Sequence, residues 1–255
     1  MLDQIDIELI VKIAIEAGDA ILEIYKQDFE VEYKADESPL TSADKASNEV
    51  IVEALKKAYP SIPILSEENK VLDYSERKNW EYCWVVDPLD GTKEFIKKNG
   101  EFTVNIALVH NNYPVLGVIH IPVQEKTFYG IENKGSFVKT DGDWTKIEKR
   151  QPNKEKLLVV ASRSHLNEDT SQYVDGLRSH FDDVEFVSAG SSLKFCLVAE
   201  GLADQYPRFA PTMEWDTAAG QIIAEQAGAT VVIANTSERV NYNKENLLNP
   251  YFLVK

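Results

Sequence analysis

A short string of residues, WVVDPLDGT at positions 84–92, combines an apolar run with two acidic side chains at a turn. The apolar run predicts a β-strand that ends at Asp87, and the proline and glycine of the string restrict the loop that follows. Such a loop can aim the carboxylates of Asp87 and Asp90 and the carbonyl group of Leu89 toward one point. All three are hard oxygen ligands of the kind that Mg²⁺ prefers. The whole string therefore favours a magnesium site, although Asp-Pro or Asp-Gly alone would favour an ordinary turn.

Three further acidic residues lie where a structural explanation competes with a chemical one. Glu67 follows an apolar run that predicts a second strand end, where a solvated loop is the simpler interpretation. Asp216 lies at the start of a predicted helix, and capping of that helix is favoured for the residue taken alone. Asp44 lies in the first turn of another predicted helix, which is an ordinary position for an acid. The segments by themselves leave these alternatives open.

The composition is that of a globular protein with an acidic surface. The chain has 255 residues, 44% of them hydrophobic and 27% charged, which is enough for a sizeable core. Its 27 lysines and arginines against 42 aspartates and glutamates give a formal charge of −15, which repels the backbone of a nucleic acid polymer. A small anionic substrate would need bound cations and a few local basic residues. No targeting or transmembrane segment is expected, and the two cysteines suit a reducing compartment, so we expect a cytoplasmic protein.

The first half of the chain predicts helices followed by an antiparallel sheet. Apolar residues at three- and four-residue spacing predict a helix from Asp6 to Tyr25. A second helix is predicted to start at Thr41 or Ser42 and to stop before Pro60. The predicted strands that follow are 62–65, 82–86, 102–110, 114–121, 127–131 and 136–139, and the last four form two hairpins.

The second half of the chain alternates strands with helices. The predicted order is strand 157–161, helix 169–180, strand 184–187, helix 191–200, strand 203–206, helix 215–227 and strand 230–233. This change places a boundary near Lys156, and without a flexible linker we expect residues 1–156 and 157–255 to pack as one unit. The predicted class is α/β, with an α+β N-terminal half that carries most candidate ligands and an α/β C-terminal half that supplies Asp216 and substrate contacts.

In their order along the chain, the acid pair after a strand, the string DPLDGT and the helix start WDTAAG resemble the inositol monophosphatase superfamily. The resemblance covers nearly the whole chain and implies a layered αβαβα sandwich of the inositol monophosphatase and sugar phosphatase type. Within the superfamily the chain is most similar to the 3′(2′),5′-bisphosphate nucleotidases, because KEF at 93–95 continues into NGEFTVNI at 99–106 and NLLNP closes the chain at 246–250. The simple inositol phosphatases usually have Thr-Asn at the positions of Lys93 and Glu94.

The resemblance also implies roles for individual residues. Metal ligands are expected at Glu67, Asp87, Asp90, Asp216 and the carbonyl group of Leu89. Asp44 matches an aspartate that binds the hydroxyl group of Thr92, and Thr92 with Glu67 matches the pair that orients the attacking water. The expected cofactor is Mg²⁺, with two or three ions per site, and inhibition by Li⁺ or Ca²⁺ is expected. The expected substrate-binding residues are Asp90, Gly91, Thr92, Lys93, Ser164, His165, Ser191, Lys194, Arg208 and Asp216.

The residues expected to bind the nucleotide have competing structural explanations. Ser164 and His165 lie in a loop after a strand, where His165 could be only an exposed polar residue. The segment GSSLK at 190–194 opens a predicted helix whose free N–H groups could hold a phosphate, and Lys194 and Arg208 could balance a second one. A serine cap followed by a solvated lysine explains Ser192 and Lys194 nearly as well.

These expectations converge on a metal-dependent phosphatase of small phosphorylated metabolites. The leading hypothesis is hydrolysis of adenosine 3′,5′-bisphosphate to AMP and phosphate, with the sulfated analogue PAPS as a second substrate that yields APS, in sulfur metabolism. The alternative enzyme is an inositol monophosphatase or fructose-1,6-bisphosphatase with the same metal core. A non-catalytic binding protein would be expected to lack one of Asp44, Glu67 or Thr92, and all three are present. The sequence leaves open a monomer or a homodimer, and peripheral association with the inner membrane.

Overall fold

A computed structural model describes residues 1–27, 31–33, 39–161 and 167–255. The α-helices in these ranges are α1 (Ile7–Tyr25), α2 (Ser42–Ala58), α3 (Tyr74–Arg77), α4 (Thr92–Ile96), α5 (Glu168–Leu177), α6 (Leu193–Ala199) and α7 (Ala218–Gln226). The strands are β1 (Val31–Tyr33), β2 (Pro39–Thr41), β3 (Ile64–Ser66), β4 (Tyr82–Asp90), β5 (Thr103–His110), β6 (Tyr113–Ile121), β7 (Lys126–Ile131), β8 (Gly135–Lys139), β9 (Thr145–Ile147), β10 (Leu157–Ala161), β11 (Val184–Ser188), β12 (Tyr206–Arg208), β13 (Val231–Ile233) and β14 (Phe252–Val254). Among the described helices, none is long and apolar enough to cross a membrane.

The two N-terminal helices form where the sequence predicts them. Asp6 caps α1 by accepting hydrogen bonds from the backbone N–H groups of Glu8 and Leu9. Thr41 caps α2, and the Asp44 carboxylate in turn accepts a hydrogen bond from the Thr41 backbone, which completes a capping box. The apolar faces of α1 and α2 contact each other and pack on the sheet that contains β4, β5 and β6.

The central sheet has seven strands in the order β3-β4-β5-β6-β7-β8-β9. β3 runs parallel to β4, and the other neighbours are antiparallel. The predicted hairpins are confirmed as β5–β6 and β7–β8. Asn111 and Asn112 make the first turn with φ values of 47° and 69°, a left-handed conformation that asparagine tolerates better than most residues.

Helix α7 covers the opposite face of this sheet, and small residues allow the close approach. A Cβ atom at Gly117 of β6 would lie 2.7 Å from the carbonyl oxygen of Ala219. A Cβ atom at Gly130 of β7 would lie 2.8 Å from the Cα atom of Ile223. The central sheet is therefore enclosed by α1 and α2 on one face and by α7, with α6 beside it, on the other.

The second half adds two smaller sheets. β10 and β11 pair in parallel, and β12, β14 and β13 form an antiparallel sheet in that order. α5 packs against β10 and β11, and α6 contacts β10 and β12. The result is a layered α/β fold of the predicted class. Six of these helices and strands were not predicted, and each has only three to five residues: α3, α4, β1, β2, β9 and β14.

Apolar packing joins the two halves of the chain. One buried cluster combines Leu65 and Val85 from the central sheet with Phe195 and Val254 from the second half. Another cluster belongs to the first half alone and lies between α1, α2 and the sheet. The predicted boundary near Lys156 falls between β9 and β10. We propose that residues 1–156 and 157–255 fold as one unit, because a shared core exposes apolar surface on both sides when the halves separate.

Candidate active site

A bulge at the end of β4 presents two aspartates to one cleft. Asp87 pairs with Asn105 of β5, whereas Asp90 pairs with Thr103, so β4 has one extra residue in this stretch. The strand therefore does not end at Asp87, as the sequence predicted, but continues to Asp90. Gly91 follows the strand, and its φ of 96° is a left-handed conformation that favours glycine. Asp87 and Asp90 both line the cleft that forms there.

Glu67 reaches the same cleft from the neighbouring strand. β3 pairs in parallel with β4, with Ser66 opposite Val86. The backbone N–H of Glu67 continues this ladder by donating to the carbonyl oxygen of Val86 at 3.2 Å. Because the two strands run side by side in one direction, the residues just after Ser66 and Val86 lie at the same edge of the sheet.

Asp216 comes to the cleft from the turn before α7. Its carboxylate accepts a hydrogen bond from the backbone N–H of Met213 at 2.9 Å, and its own N–H donates to the Met213 carbonyl oxygen at 3.2 Å. α7 starts at Ala218, three residues later than the predicted helix start at position 215, and its N-cap residue is Thr217. Capping therefore does not explain Asp216, which lines the cleft with Glu67 and Asp87.

The acidic side chains meet in this cleft. Carboxylate oxygens of Glu67, Asp87 and Asp216 lie within 4.8 Å of one another, and Asp90 and the Leu89 residue line the same space. Burial and the charges of its acidic neighbours raise the pKa of Asp87 well above its ordinary value. Burial, with the charge of Asp90 next in size, raises the pKa of Asp216 to about 8. Crowded carboxylate oxygens that are shielded from water are suitable ligands for a divalent cation, whose positive charge would offset their mutual repulsion.

Asp90 is held from two directions. The side-chain amide of Asn105 donates to one carboxylate oxygen at 3.4 Å, and the backbone N–H of Ser192 also donates to this carboxylate. Burial raises the pKa of Asp90 to about 6, although the charge of Lys194 and these hydrogen bonds favour the ionised form. Asn105 was not identified from the sequence as a residue that holds Asp90. Its position as a polar residue inside the apolar strand β5 could have indicated such a role.

Thr92 and Asp44 contact each other as the resemblance implies. The Thr92 hydroxyl group lies 3.3 Å from one carboxylate oxygen of Asp44 and 3.5 Å from the carbonyl oxygen of Leu89. The other oxygen of Asp44 accepts hydrogen bonds from the backbone N–H and the hydroxyl group of Thr41, both at 2.7 Å. Asp44 therefore connects the start of α2 to the edge of the cleft.

A second pocket adjoins the acidic cleft and contains two basic residues. Lys194 is only 4% exposed, and its ammonium group donates to the carbonyl oxygens of Ala189 and Ser191. The interpretation of Lys194 as a solvated lysine is therefore wrong. Burial lowers its pKa to about 8, although the charge of Asp90 opposes this effect. The pocket is lined by Asp90, Gly91, Glu94, Ser191, Lys194, Phe195, Tyr206, Arg208, Thr212, Asp216 and Thr217.

The start of α6 differs from the predicted phosphate-binding helix start. The helix has seven residues, and the Ser192 hydroxyl group contacts Asn105 and Thr103 instead of capping the helix. The Ser192 N–H already binds Asp90, so it is not a free donor for a phosphate. The Ser191 hydroxyl group is buried and has no hydrogen-bond partner among the described residues.

The remaining predicted contacts fall in different places. Arg208 shares the second pocket with Lys194, and its guanidinium group donates to the carbonyl oxygens of Ala210 at 3.1 Å and Pro211 at 2.8 Å. Lys93 lines the acidic cleft. Ser164 and His165 lie outside the described residues. Glu94 and Pro211 also line the cleft and were not expected there.

Comparisons with known proteins agree with this fold. A model of the inositol monophosphatase family matches residues 3–251. The 3′(2′),5′-bisphosphate nucleotidase CysQ of Salmonella typhimurium is 46% identical over 250 residues, which cover 97% of this chain and 98% of that relative. The protein of the same name from Escherichia coli K12 is 44% identical over 256 residues, covering 100% of this chain and 99% of the relative. The chain therefore belongs to the inositol monophosphatase family.

Solved structures extend the comparison. The crystal structure of CysQ from Bacteroides thetaiotaomicron, a bacterial member of the inositol monophosphatase family, has a TM-score of 0.87 and 46% identity. The match covers 97% of this chain and 96% of that one. An inositol monophosphatase from Anabaena (Nostoc) has a TM-score of 0.72 at 24% identity over 97% of this chain and 88% of its own. The second likeness concerns the fold alone.

Proposed function

We propose that this protein is a metal-dependent phosphatase that converts adenosine 3′,5′-bisphosphate to AMP and phosphate. The observation that carries this proposal is the group of Glu67, Asp87 and Asp216, whose carboxylate oxygens lie within 4.8 Å of one another. A phosphate dianion cannot approach these carboxylates unless cations intervene. The relatives named 3′(2′),5′-bisphosphate nucleotidase CysQ, at 44–46% identity, support the nucleotide as substrate.

The proposed metal ligands are the four clustered acids and one carbonyl group. Glu67, Asp87, Asp90, Asp216 and the Leu89 carbonyl oxygen would hold two or three Mg²⁺ ions, and Li⁺ or Ca²⁺ would inhibit by competing for them. When bound, Mg²⁺ lowers the pKa of a bound water and offsets the negative charge of the phosphoryl oxygens.

The contact between Thr92 and Asp44 supports a role in orienting that water. An ionised carboxylate only accepts hydrogen bonds, so in this contact the Thr92 hydroxyl group is the donor and Asp44 is the acceptor. The lone pairs of Thr92 then remain available to accept a hydrogen bond from a water molecule in the cleft. Glu67 lines the cleft with Thr92 and would hold the other proton of this water. Together they would align it with the phosphorus atom.

The second pocket supports a substrate with two phosphate groups. Lys194 and Arg208 line it beside Asp90 and Asp216, so a substrate held in the acidic cleft would bring a second phosphate group near two basic side chains. We propose that these residues bind the remote 5′-phosphate, with Ser191 as a further donor and with contacts from Gly91, Lys93, Ser164 and His165. PAPS has the same 3′-phosphate and is proposed as a second substrate.

Three substrates separate this proposal from its alternatives. Release of phosphate from adenosine 3′,5′-bisphosphate, inositol 1-phosphate and fructose 1,6-bisphosphate should be compared as kcat/KM in the presence of Mg²⁺. We expect the nucleotide to have the highest value and chelation of Mg²⁺ to abolish all three activities. A preference for inositol 1-phosphate or fructose 1,6-bisphosphate would overturn the substrate proposal and leave the metal-dependent phosphatase.

We further propose that the protein acts in the cytoplasm as a monomer or a homodimer. The substrate is a small phosphorylated metabolite, and the formal charge of −15 disfavours a nucleic acid polymer as partner. Sedimentation measurements would distinguish monomer from dimer. Fractionation of cells would test for peripheral association with the inner membrane.

A further inference from the structure

A largely buried group of polar residues connects the two parts of the chain that carry Glu67 and Asp216. We call it the polar bridge, and it consists of Arg77, Asn243, Lys244 and Glu214. Arg77 ends α3, in the stretch of chain that follows Glu67, and Glu214 lies in the turn that contains Asp216. The bridge lies outside both pockets of the site.

The Glu214 end of the bridge is fixed by its side chain and by its backbone. The Glu214 carboxylate is completely buried and accepts hydrogen bonds from the backbone N–H groups of Asn243 and Lys244 and from the Lys244 ammonium group at 2.6 Å. The Glu214 carbonyl oxygen accepts from the N–H groups of Thr217 and Ala218. Asp216 lies between these anchored positions.

The Arg77 end closes the bridge. Arg77 is 2% exposed, and its guanidinium group donates to the side chain of Asn243 and to the carbonyl oxygens of Lys244 and Glu245. The side-chain amide of Asn243 donates back to the Arg77 carbonyl oxygen at 2.7 Å. The segment that holds Glu214 is therefore itself held by the chain that follows Glu67.

The clustered acids differ in how the fold holds them in place. Pairing of β3 with β4 sets the separation of Glu67 and Asp87 directly. Asp216 belongs to no strand of that sheet and needs another connection. We propose that the polar bridge positions Asp216 relative to Glu67 and so determines the affinity of the site for Mg²⁺. This inference rests on the proposed function in treating these two residues as ligands.

Replacement of Glu214 by glutamine tests the bridge with a small change in shape. Donors face both carboxylate oxygens of Glu214, so a glutamine NH₂ group must face a donor in either orientation. We expect Glu214→Gln to weaken Mg²⁺ binding by about tenfold to a hundredfold. Isothermal titration calorimetry of the metal-free protein with MgCl₂ measures this effect without relying on activity. The variant should fold, because the Glu214 N–H still donates to the Leu247 carbonyl oxygen and Asn249 still binds Met213.

Glu225→Gln is a matched control at the other end of α7. Glu225 is also a largely buried acid paired with a basic residue of the C-terminal segment, namely Arg239, but it does not line the site. We expect this variant to bind Mg²⁺ as the wild type does, while its melting temperature falls. Equal weakening of Mg²⁺ binding in Glu214→Gln and Glu225→Gln would overturn the inference, because general destabilisation would then explain both.

Variants of Lys244 and Arg77 give independent checks. Lys244→Arg keeps a donor for Glu214 and should bind Mg²⁺ more tightly than Lys244→Met. If Glu214→Gln does not fold, Arg77→Lys replaces it, because lysine keeps the charge but loses the planar group that reaches several acceptors. If a folded variant of the polar bridge bound Mg²⁺ with unchanged affinity, the inference about the bridge would be wrong, but the proposed function would stand. Absence of Mg²⁺ binding by the wild type would overturn the proposed function.

Discussion

The two ends of α7 both bury acidic side chains, but they arrange them differently. At the C-terminal end, Glu225 accepts hydrogen bonds from the guanidinium group of Arg239 and from the amide of Gln221 at 3.0 Å. At the N-terminal end, Asp216 lies within 4.8 Å of Glu67 and Asp87. Burial raises the pKa of Glu225, but its partners lower it again, whereas the acidic neighbours of Asp216 raise its pKa further.

This difference shows what distinguishes a functional acid from a structural one. A buried ion pair offsets much of its desolvation cost within the protein. A buried cluster of like charges has no such compensation, and its members repel one another until a ligand from solution, such as a cation, binds between them. Burial is common to both ends of α7, and crowding of like charges marks only the end that we propose to bind metal. Each prediction below tests this contrast.

The largest expected effect follows from removing one crowded acid. Asp216→Asn should lower kcat/KM for adenosine 3′,5′-bisphosphate by on the order of 10³-fold or more, because a metal ligand and its charge are lost. The same change should raise the melting temperature of the metal-free protein, because it relieves repulsion. Glu225→Gln should do the opposite, with kcat/KM unchanged and the melting temperature lowered. Steady-state kinetics measures kcat/KM, and calorimetry measures the melting temperature. Similar changes in both variants would show that the two ends of α7 do not differ in the proposed way.

The next effect concerns the orientation of water beside the cluster. Thr92→Ala and Asp44→Asn should each lower kcat by roughly 10²-fold while KM changes little, because these residues orient the nucleophile more than they bind the substrate. Thr92→Ser retains the hydroxyl group and should recover most of kcat. Near-normal kcat in both Thr92→Ala and Asp44→Asn would contradict the proposed mechanism.

A smaller effect should separate the two phosphate groups of the substrate. Lys194→Ala should raise KM for adenosine 3′,5′-bisphosphate by about tenfold, the loss of one charge-assisted contact of ~1.4 kcal/mol. Hydrolysis of adenosine 3′-monophosphate, which lacks the 5′-phosphate, should be nearly unchanged. Lys194 also binds the carbonyl oxygens of Ala189 and Ser191, so general damage to this loop would affect both substrates. Equal losses on both would argue against a role for Lys194 in binding the 5′-phosphate.

The smallest effect is a dependence of stability on pH in the metal-free protein. The pKa of Asp216 is raised to about 8, so the folded protein retains a proton that the unfolded chain has lost. Stability should therefore fall by a few degrees in melting temperature as pH rises from 6.5 to about 8. Burial lowers the pKa of His120 from 6.5 to about 4, so its contribution, which has the opposite sign, falls mainly between these two values and below the window.

Scanning calorimetry with and without Mg²⁺ tests this dependence. Saturating Mg²⁺ should remove the slope, because the bound cation replaces the protons. Glu225→Gln should leave the slope of the metal-free protein unchanged. A melting temperature that is constant or rises with pH in the metal-free protein would show that the acids are not crowded in solution.

The sequence alone was sufficient for the elements whose pattern is local. Helices α1 and α2, the two hairpins and the alternation from β10 to β13 follow from apolar spacing over many residues, and the structure confirms them. The string at 84–92 contained two of the clustered acids, because proline fixes φ and glycine permits the left-handed conformation found just after β4. Some elements of three to five residues, such as α3 and β14, were not predicted, because so short a segment has no readable period.

Only the tertiary structure decided where the separate acids meet. Asp216 alone was better explained as a helix cap, and its position beside Glu67 and Asp87 depends on contacts between residues far apart in sequence. Burial of Lys194 likewise depends on tertiary packing, and the bulge that carries β4 to Asp90 depends on the pairing of β4 with β5. The physical reason is that periodicity and turn chemistry act over a few residues, whereas crowding and desolvation are properties of groups brought together by folding.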